Sequence, residues 1–261
     1  MLRDAARSSR PLGCSALRRK ERMGLMTILR QLASVPPETR RNVMRRVGQM
    51  LFFDALIALL LFASAGSLNW GYAWSYTAAM VLIQLGGAFF MPLEVLAERG
   101  SKKENTEKWD RVVTGLILPS FLSLYLVAGL DFRWHWSPEL GMAWHLGAVL
   151  IFILGCALEM WAMATNRFFS TAVRIQFDRG HVACTDGPYR YVRHPGYVGI
   201  TLYYGATPIF LGSLWALMPA AIVAILLVVR TWLEDRTLKE RLPGYAEYAS
   251  RVRFRLVPGV W

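Results

Sequence analysis

The segment 166–199 (NRFFSTAVRIQFDRGHVACTDGPYRYVRHPGYVG) concentrates residue types that can bind a polar ligand. Its arginine, histidine and tyrosine side chains donate hydrogen bonds, Pro188 and Pro195 restrict the backbone, and Gly187 and Gly196 let the backbone approach a ligand closely. Long structured loops on a rigid scaffold often carry function. The alternative is a basic loop whose arginines and tyrosines anchor it at lipid headgroups. The density of His, Gly and Pro favours a binding site.

A second group of polar residues lies near the C-terminus, in the segment 228–242 (VVRTWLEDRTLKERL). Arg230 and Glu234 are four residues apart, so they share one face of a helix. Glutamate can pair with an ammonium group, and arginine can hold a carboxylate through two parallel hydrogen bonds. The alternative is a snorkelling arginine paired with a glutamate at the membrane interface.

The elements that must position these residues are apolar, since 54% of the 261 residues are hydrophobic. A membrane-spanning helix needs about 20 predominantly apolar residues. Four runs qualify, and a fifth stretch, 197–229, is too long for one span and contains Gly212-Ser213 between Pro208 and Pro219. The sequence therefore predicts an all-α, polytopic membrane bundle of six transmembrane helices, or five if 197–229 is one kinked helix. The predicted spans are 49–68, 72–96, 112–130, 143–165, 196–211 and 214–232.

The basic residues predict the orientation of the bundle. The net charge of +12 could indicate a nucleic-acid partner, but the lysines and arginines lie between apolar runs rather than in a soluble patch, so we expect none. With six spans, every basic residue except Arg133 falls on one side. The positive-inside rule then predicts that both termini are cytoplasmic, in the plasma membrane of a bacterium or the endoplasmic reticulum of a eukaryote.

The same segments suggest a division of the chain into three regions. Residues 1–48 form a basic tail, 49–165 a four-helix transmembrane region, and 166–261 a core with the loop, a transmembrane hairpin and a C-terminal cytoplasmic segment. In the tail we expect disorder over 1–25, with Met23 or Met26 as the start of the protein. A basic juxtamembrane helix over 36–48 is expected to lie on anionic lipid.

Other polar and aromatic residues carry weaker predictions. Carboxylates within a membrane are candidate functional groups, and of these we expect Glu159 to face the functional cavity. Asp54 is expected at the membrane interface, and for Glu94 both a functional role and a snorkelling position at a helix end stay open. We also expect interfacial positions for the residues Trp70, Tyr72, Trp74, Trp134, His135, Trp136 and His145. The cysteines Cys14, Cys156 and Cys184 have neither disulfide-framework nor zinc-ligand spacing, so we expect reduced thiols and no metal site.

Several motifs in the last third of the chain resemble one protein family. They are Gly187-Pro188-Tyr189, Arg193-His194-Pro195-Gly196-Tyr197, a hydrophobic hairpin, and Glu234-Asp235 followed by Tyr245, Tyr248 and Val252. In this order they resemble the isoprenylcysteine carboxyl methyltransferases and their relatives, the phospholipid N-methyltransferases. The resemblance covers roughly residues 165–258. The family often shows Glu-Glu where this chain has Glu234-Asp235.

The resemblance implies a cofactor, S-adenosylmethionine, held between the loop and the last helix. It implies catalytic roles for Arg230, placed at the substrate, and Glu234, which contacts the cofactor. The implied cofactor-binding residues are Gln176, His181, Val182, Ala183, Cys184, Tyr189, His194, Pro195, Gly196, Tyr197 and Glu234. The implied activity is carboxyl O-methylation of an isoprenylcysteine-like or other amphiphilic substrate, lipophilic or prenylated, that reaches the site from the bilayer.

Three alternatives remain open from the sequence. The same scaffold could methylate a phospholipid amine, which requires a group to accept a proton. A non-catalytic channel, transporter or membrane scaffold is the second, although no internal repeat of the kind found in many transporters is present. The third is a membrane reductase with a nicotinamide cofactor, for which no Gly-rich dinucleotide motif is found.

Overall fold

The described part of the protein, residues 32–261 without the side chains of 88 and 89, is all-helical in a computed structural model. The predicted start at Met23 or Met26 lies outside these residues. We number the α-helices α1 (Pro37–Ala65), α2 (Gly71–Phe90), α3 (Leu93–Gly100), α4 (Lys108–Trp134), α5 (Met142–Thr165), α6 (Pro195–Leu211), α7 (Leu217–Arg241) and α8 (Tyr245–Arg251). Two short 3₁₀ helices, Phe177–Arg179 and Gly187–Arg190, interrupt the long connection between α5 and α6.

Four of these helices, α1, α4, α5 and α7, are long and apolar enough to cross a membrane. The chain is therefore a multi-pass membrane protein, and the predicted helical membrane bundle is confirmed. Helices α2 and α6 form where spans were predicted but are not among these four. Helix α6 has 17 residues, which at about 1.5 Å per residue gives roughly 26 Å, short of a hydrocarbon core of about 30 Å. The count of six spans stays a prediction.

The stretch 197–229 is broken into two helices. Gly212 has a φ of +82°, a left-handed conformation that favours glycine, and it ends α6. The backbone N–H of Ser213 donates to the carbonyl of Pro208 at 2.8 Å, and the Ser213 hydroxyl oxygen accepts from the backbone N–H of Ala216 at 3.1 Å, just before α7. The predicted hairpin is thus present, and the alternative of one kinked helix is wrong.

Two predicted boundaries at the other end of the chain are wrong. The span predicted over 72–96 ends at Phe90, because Pro92 lacks a backbone N–H and disfavours the helical conformation at Met91, whose ψ is 132°. The separate helix predicted over 36–48 is instead the first part of α1, which continues to Ala65. This part packs closely on α3, since a Cβ at Gly100 would clash with the carbonyl oxygen of Asn42.

The core between the helices is aromatic. Tyr76 and Tyr125 are fully buried and share a hydrogen bond of 2.7 Å between their hydroxyls. His145 is also buried: its Nδ1 lies 3.1 Å from the carbonyl oxygen of Phe210, and its ring stacks on Tyr72 at 3.8 Å. The predicted interfacial position of His145 is therefore wrong.

The aromatic residues at the predicted outer interface divide into buried and exposed groups. Trp70 is buried and stacks on Phe132 with the ring centroids 4.5 Å apart, so its predicted interfacial position is also wrong. By contrast, Trp74, Trp134 and Trp136 expose about half of their surface. An exposed tryptophan ring suits the interface that the sequence predicted for them.

Helices α5 and α6 approach each other closely next to the site. A Cβ at Gly155 would lie 2.8 Å from the carbonyl oxygen of Gly199, and one at Gly199 would lie 2.6 Å from that of Gly155. Two facing glycines therefore let the helices touch backbone to backbone. One turn further along α5, Glu159 lies beside the cavity described below.

Candidate active site

The loop between α5 and α6 folds over one end of the bundle, and backbone hydrogen bonds hold it there. The N–H groups of Arg193 and His194 donate to the carbonyls of Phe254 and Arg255 at 2.9 and 3.0 Å. Near its start, the Val173 carbonyl accepts from the backbone N–H of Glu107 at 3.0 Å. The loop is thereby tied to the C-terminal segment and to the start of α4.

A cavity of about 310 Å³ lies beneath this loop, between it and helices α4, α6 and α7. Of the residues that the resemblance implied, the following line it: Gln176, His181, Ala183, Cys184, Tyr189, His194, Gly196, Tyr197, Arg230 and Glu234. Two do not line it. Val182 is 38% exposed on the outside of the loop, and Pro195 is buried at the first position of α6.

The two acidic residues of the Glu234-Asp235 pair have different environments. Glu234 lines the cavity, and its carboxylate accepts a hydrogen bond of 2.5 Å from the Tyr197 hydroxyl. Asp235 is buried, and its carboxylate binds the Arg193 guanidinium through Nε at 2.6 Å and Nη2 at 3.1 Å. Glu234 can therefore meet a ligand, whereas Asp235 holds the loop.

Further groups converge on the Asp235 carboxylate. Arg255 Nε donates at 3.0 Å, the Tyr245 hydroxyl donates at 3.1 Å, and Lys239 Nζ lies 2.9 Å away. The Nε2 atom of His194 lies 3.6 Å from the same carboxylate and 3.4 Å from the Tyr245 hydroxyl oxygen. One buried carboxylate thus connects the RHPGY motif, α7, α8 and the C-terminal segment.

Arg230 is fixed by a residue that the sequence analysis missed. Its Nε donates to the buried carboxylate of Asp110 at 2.8 Å, and its Nη2 donates to the Thr171 carbonyl at 2.9 Å. The other Asp110 oxygen accepts from the backbone N–H of Val173 at 2.9 Å. The guanidinium also lies 5.5 Å from the ring centre of Tyr197. The signal in the sequence was an acidic residue just before the predicted span 112–130.

Glu98 is a second missed residue, and it supports the loop from α3. Its buried carboxylate accepts hydrogen bonds from Lys103 Nζ at 2.9 Å and from Arg174 Nη2 at 3.3 Å, and it lies 3.4 Å from Arg179 Nη1. Burial alone would raise the pKa of Glu98, but Lys103 and the two arginines lower it below its ordinary value. Arg179 Nη1 also donates to Oε1 of Gln176 at 2.5 Å, which connects Glu98 to the cavity wall.

His181 stays neutral near neutral pH because burial, with Arg179 and Arg174 nearby, lowers its pKa to about 4. Its Nδ1 accepts a hydrogen bond of 3.3 Å from the backbone N–H of Gln176. Its ring centre lies 4.6 Å from that of Phe168. The neutral ring therefore closes the turn around Gly180, beside the cavity.

The carboxylates predicted within or near spans have separate outcomes. Glu159 lines the cavity as predicted, together with Arg99 of α3. Asp54 accepts a hydrogen bond of 2.7 Å from Gln84. Glu94 is largely exposed and lies 3.8 Å from Arg167.

No cluster of three or more His, Cys, Asp or Glu residues that could hold a metal ion is found within residues 32–261.

Comparisons with known proteins find a family match in the second half of the chain. Residues 148–240 match the model of the isoprenylcysteine carboxyl methyltransferase (ICMT) family. A probable protein-S-isoprenylcysteine O-methyltransferase of Oryza sativa subsp. indica is 28% identical over 193 residues, covering 69% of this chain and 93% of that protein. Protein-S-isoprenylcysteine O-methyltransferase B of Arabidopsis thaliana is 28% identical over 139 residues, covering 52% of this chain and 66% of the relative.

Proposed function

Residues 148–240 of the chain belong to the isoprenylcysteine carboxyl methyltransferase family, and from this premise we propose that the protein methylates the carboxylate of an isoprenylcysteine-like amphiphile. The chain is accordingly a methyltransferase of the membrane, and we propose S-adenosylmethionine as its methyl donor. The observation that carries the proposal is the convergence of His194, Tyr197, Arg230 and Glu234 on one cavity at the end of a membrane bundle.

The chemistry of the cavity wall fits the proposed cofactor. S-adenosylmethionine supplies a methyl group on a sulfonium cation when bound. The Glu234 carboxylate can pair with the ammonium of its amino-acid end, and the rings of Tyr189 and Tyr197 offer faces to adenine or to a cation. The cavity of about 310 Å³ lies within the range of roughly 300–1,000 Å³ that is common for small-molecule sites.

The acceptor side of the cavity needs alignment rather than a base. A carboxylate is already ionised, so the protein has to hold its oxygen in line with the methyl group and exclude water. Asp110 fixes the Arg230 guanidinium, and Nη1 of that group has no hydrogen-bond partner among residues 32–261. Nη1 can therefore donate to the carboxylate of the acceptor. Ile117 of α4 and Val223 and Leu227 of α7 form an apolar part of the cavity wall. They suit the lipid-like part of an amphiphile.

The proposed orientation places the cavity and both termini on the cytoplasmic side. Contacts such as those of Glu98 with Arg174 and of Arg193 with the Val252 carbonyl join basic segments at one end of the bundle. The positive-inside rule supports a cytoplasmic location for that end. A soluble cofactor is available there.

Binding of radiolabelled S-adenosylmethionine to the purified protein tests the site. We expect His194→Ala and Glu234→Ala each to weaken binding, because each removes a polar group from the cavity wall. Glu240→Gln is the matched control, since this exposed carboxylate on the same helix pairs only with Arg236 among the described residues. Wild-type binding retained in both His194→Ala and Glu234→Ala would contradict the assignment.

Methylation of a phospholipid amine is a second candidate because the cavity contains Glu159, a carboxylate that can accept a proton from an amine. Mass spectrometry of the products, with prenylated cysteines and phospholipids as competing acceptors, distinguishes the two activities. Methyl esters are expected from the first and methylated headgroups from the second.

A further inference from the structure

Arg99 differs from the other arginines around the cavity. It lines the cavity and only 14% of its side chain is exposed, yet its guanidinium makes no hydrogen bond to any residue within 32–261. Its described contacts are the Glu159 carboxylate at 4.0 Å and the ring of Phe169 at 5.4 Å. By contrast, Arg193 donates to a carboxylate and to two backbone carbonyls, and Arg230 donates to a carboxylate and to one.

The positive charge around Arg99 exceeds the single negative charge that Glu159 can supply. Arg46 of α1 lies within electrostatic range of both groups, so two cations surround one carboxylate. A guanidinium in a mostly buried wall is costly when its donors have no acceptor. The donors of Arg99 are therefore available to an anion that enters the cavity.

We propose that Arg99 is a carboxylate-binding residue of the cavity. Its planar donors match a carboxylate, which it can bind through two parallel hydrogen bonds. Arg230 is less available, because Asp110 and Thr171 already engage its Nε and Nη2. Arg99 lies on α3, outside the matched residues 148–240, so the family match assigns it no role.

The identity of the ligand rests on the proposed function. Under that function, two molecules can supply the carboxylate. One is the methyl acceptor, whose carboxylate receives the methyl group. The other is the cofactor, whose amino-acid end carries a carboxylate. Both present the same chemistry to Arg99, and separate measurements distinguish them.

The test compares Arg99→Gln with Arg45→Gln in the full-length protein. Arg45 is a matched control because it is also a partly buried arginine at the contact of α1 and α3, but it does not line this cavity. Calorimetry measures the Kd of S-adenosylmethionine and of an N-acylated S-isoprenylcysteine. The carboxamide of the second ligand, which lacks the negative charge, is measured in parallel.

We expect Arg99→Gln to raise the Kd of one carboxylate ligand by roughly 10- to 100-fold, which is the effect of losing a charge-assisted hydrogen bond. Weaker isoprenylcysteine binding with unchanged carboxamide binding identifies the acceptor as the source. Weaker S-adenosylmethionine binding identifies the cofactor. If neither ligand changes, or if Arg45→Gln has the same effect, the proposal is overturned.

Glu159→Gln provides a second test that does not remove the cation. Without the competing carboxylate we expect tighter binding of the carboxylate ligand and no change for the carboxamide, whereas unchanged or weaker binding contradicts the proposal. Because binding is measured without turnover, the proposal and the proposed function can fail separately. A wild-type protein that binds these carboxylates but transfers no methyl group contradicts only the proposed function.

Discussion

Replacement of Asp235 with asparagine tests whether one buried carboxylate holds the loop over the cavity. The side chain accepts from Arg193 at 2.6 and 3.1 Å, from Arg255 at 3.0 Å and from Tyr245 at 3.1 Å. Asparagine keeps the size of the side chain but removes its negative charge and one of its acceptor oxygens. The Arg193 guanidinium, which is 3% exposed, then has no buried anion beside it.

The magnitude follows from the contacts that remain. Removing one partner of a buried ion pair costs about 3–5 kcal/mol. Arg193 Nη1 still donates to the carbonyls of Val252 and Arg253 at 2.8 Å each, and asparagine keeps one oxygen. We therefore expect a loss near the lower limit, about 3 kcal/mol in the free energy of unfolding. At about 2–4 °C per kcal/mol, the Tm falls by roughly 6–12 °C.

Thermal unfolding can be followed with a thiol-reactive dye, because Cys156 and Cys184 are both free and buried. Replacing Cys14, which lies outside the described residues, with serine leaves these two thiols as the reporters. The control is Glu240→Gln, which breaks a solvent-exposed pair with Arg236 that contributes little to stability. A Tm for Asp235→Asn equal to that of Glu240→Gln would refute this account of the loop.

Three further predictions concern the cavity. Asp110→Asn is expected to reduce kcat/KM for the acceptor by roughly 10- to 100-fold, because Arg230 loses the charge that orients it; steady-state kinetics measures this. The pKa of His181 is about 4 in the folded protein and about 6.5 in the unfolded chain, so the unfolded chain binds a proton first as the pH drops. The free energy of unfolding is therefore expected to fall by up to about 3 kcal/mol between about pH 6.5 and pH 4. Equilibrium unfolding across this pH range measures the loss. Gly196→Ala places a Cβ 2.6 Å from Cε2 of Phe169, which also lines the cavity, so the ring has to move. We therefore expect weaker cofactor binding, and calorimetry measures it.

Each of these predictions has its own control. Gly205→Ala on the same helix meets no atom within 4 Å, so it should bind the cofactor as the wild type does. His181→Gln should reduce the acid dependence, and an identical pH profile would contradict the assignment. For Asp110→Asn, an unchanged kcat/KM would show that Arg230 does not depend on that carboxylate.

The main features of the fold were predictable because they depend on local sequence. Apolar runs of spanning length predicted the helices, and Gly212-Ser213 between Pro208 and Pro219 predicted the hairpin. The structure places its turn at the left-handed Gly212. The position of His145 was not predictable in this way. Its burial depends on the Phe210 carbonyl, 65 residues further along the chain, and no local pattern reports such a contact.

The candidate site shows the same division. Residues within one motif, such as His194 and Tyr197, were found because their spacing is distinctive. Asp110 and Glu98 were missed because their partners lie far away in sequence, 120 residues in the case of Arg230 and 76 in the case of Arg174. A single carboxylate before an apolar run resembles any interfacial acid until the folded chain brings its cation beside it.

The contacts of α3 and of the first turn of α4 limit how this enzyme can be divided or recombined. Glu98 and Asp110 precede the matched segment 148–240, yet they hold Arg174 and Arg230 at the cavity. A chimera that grafts only the matched segment onto a foreign pair of amino-terminal helices would inherit two arginines without their counterions. Transplanting activity would require carrying both acids along with it.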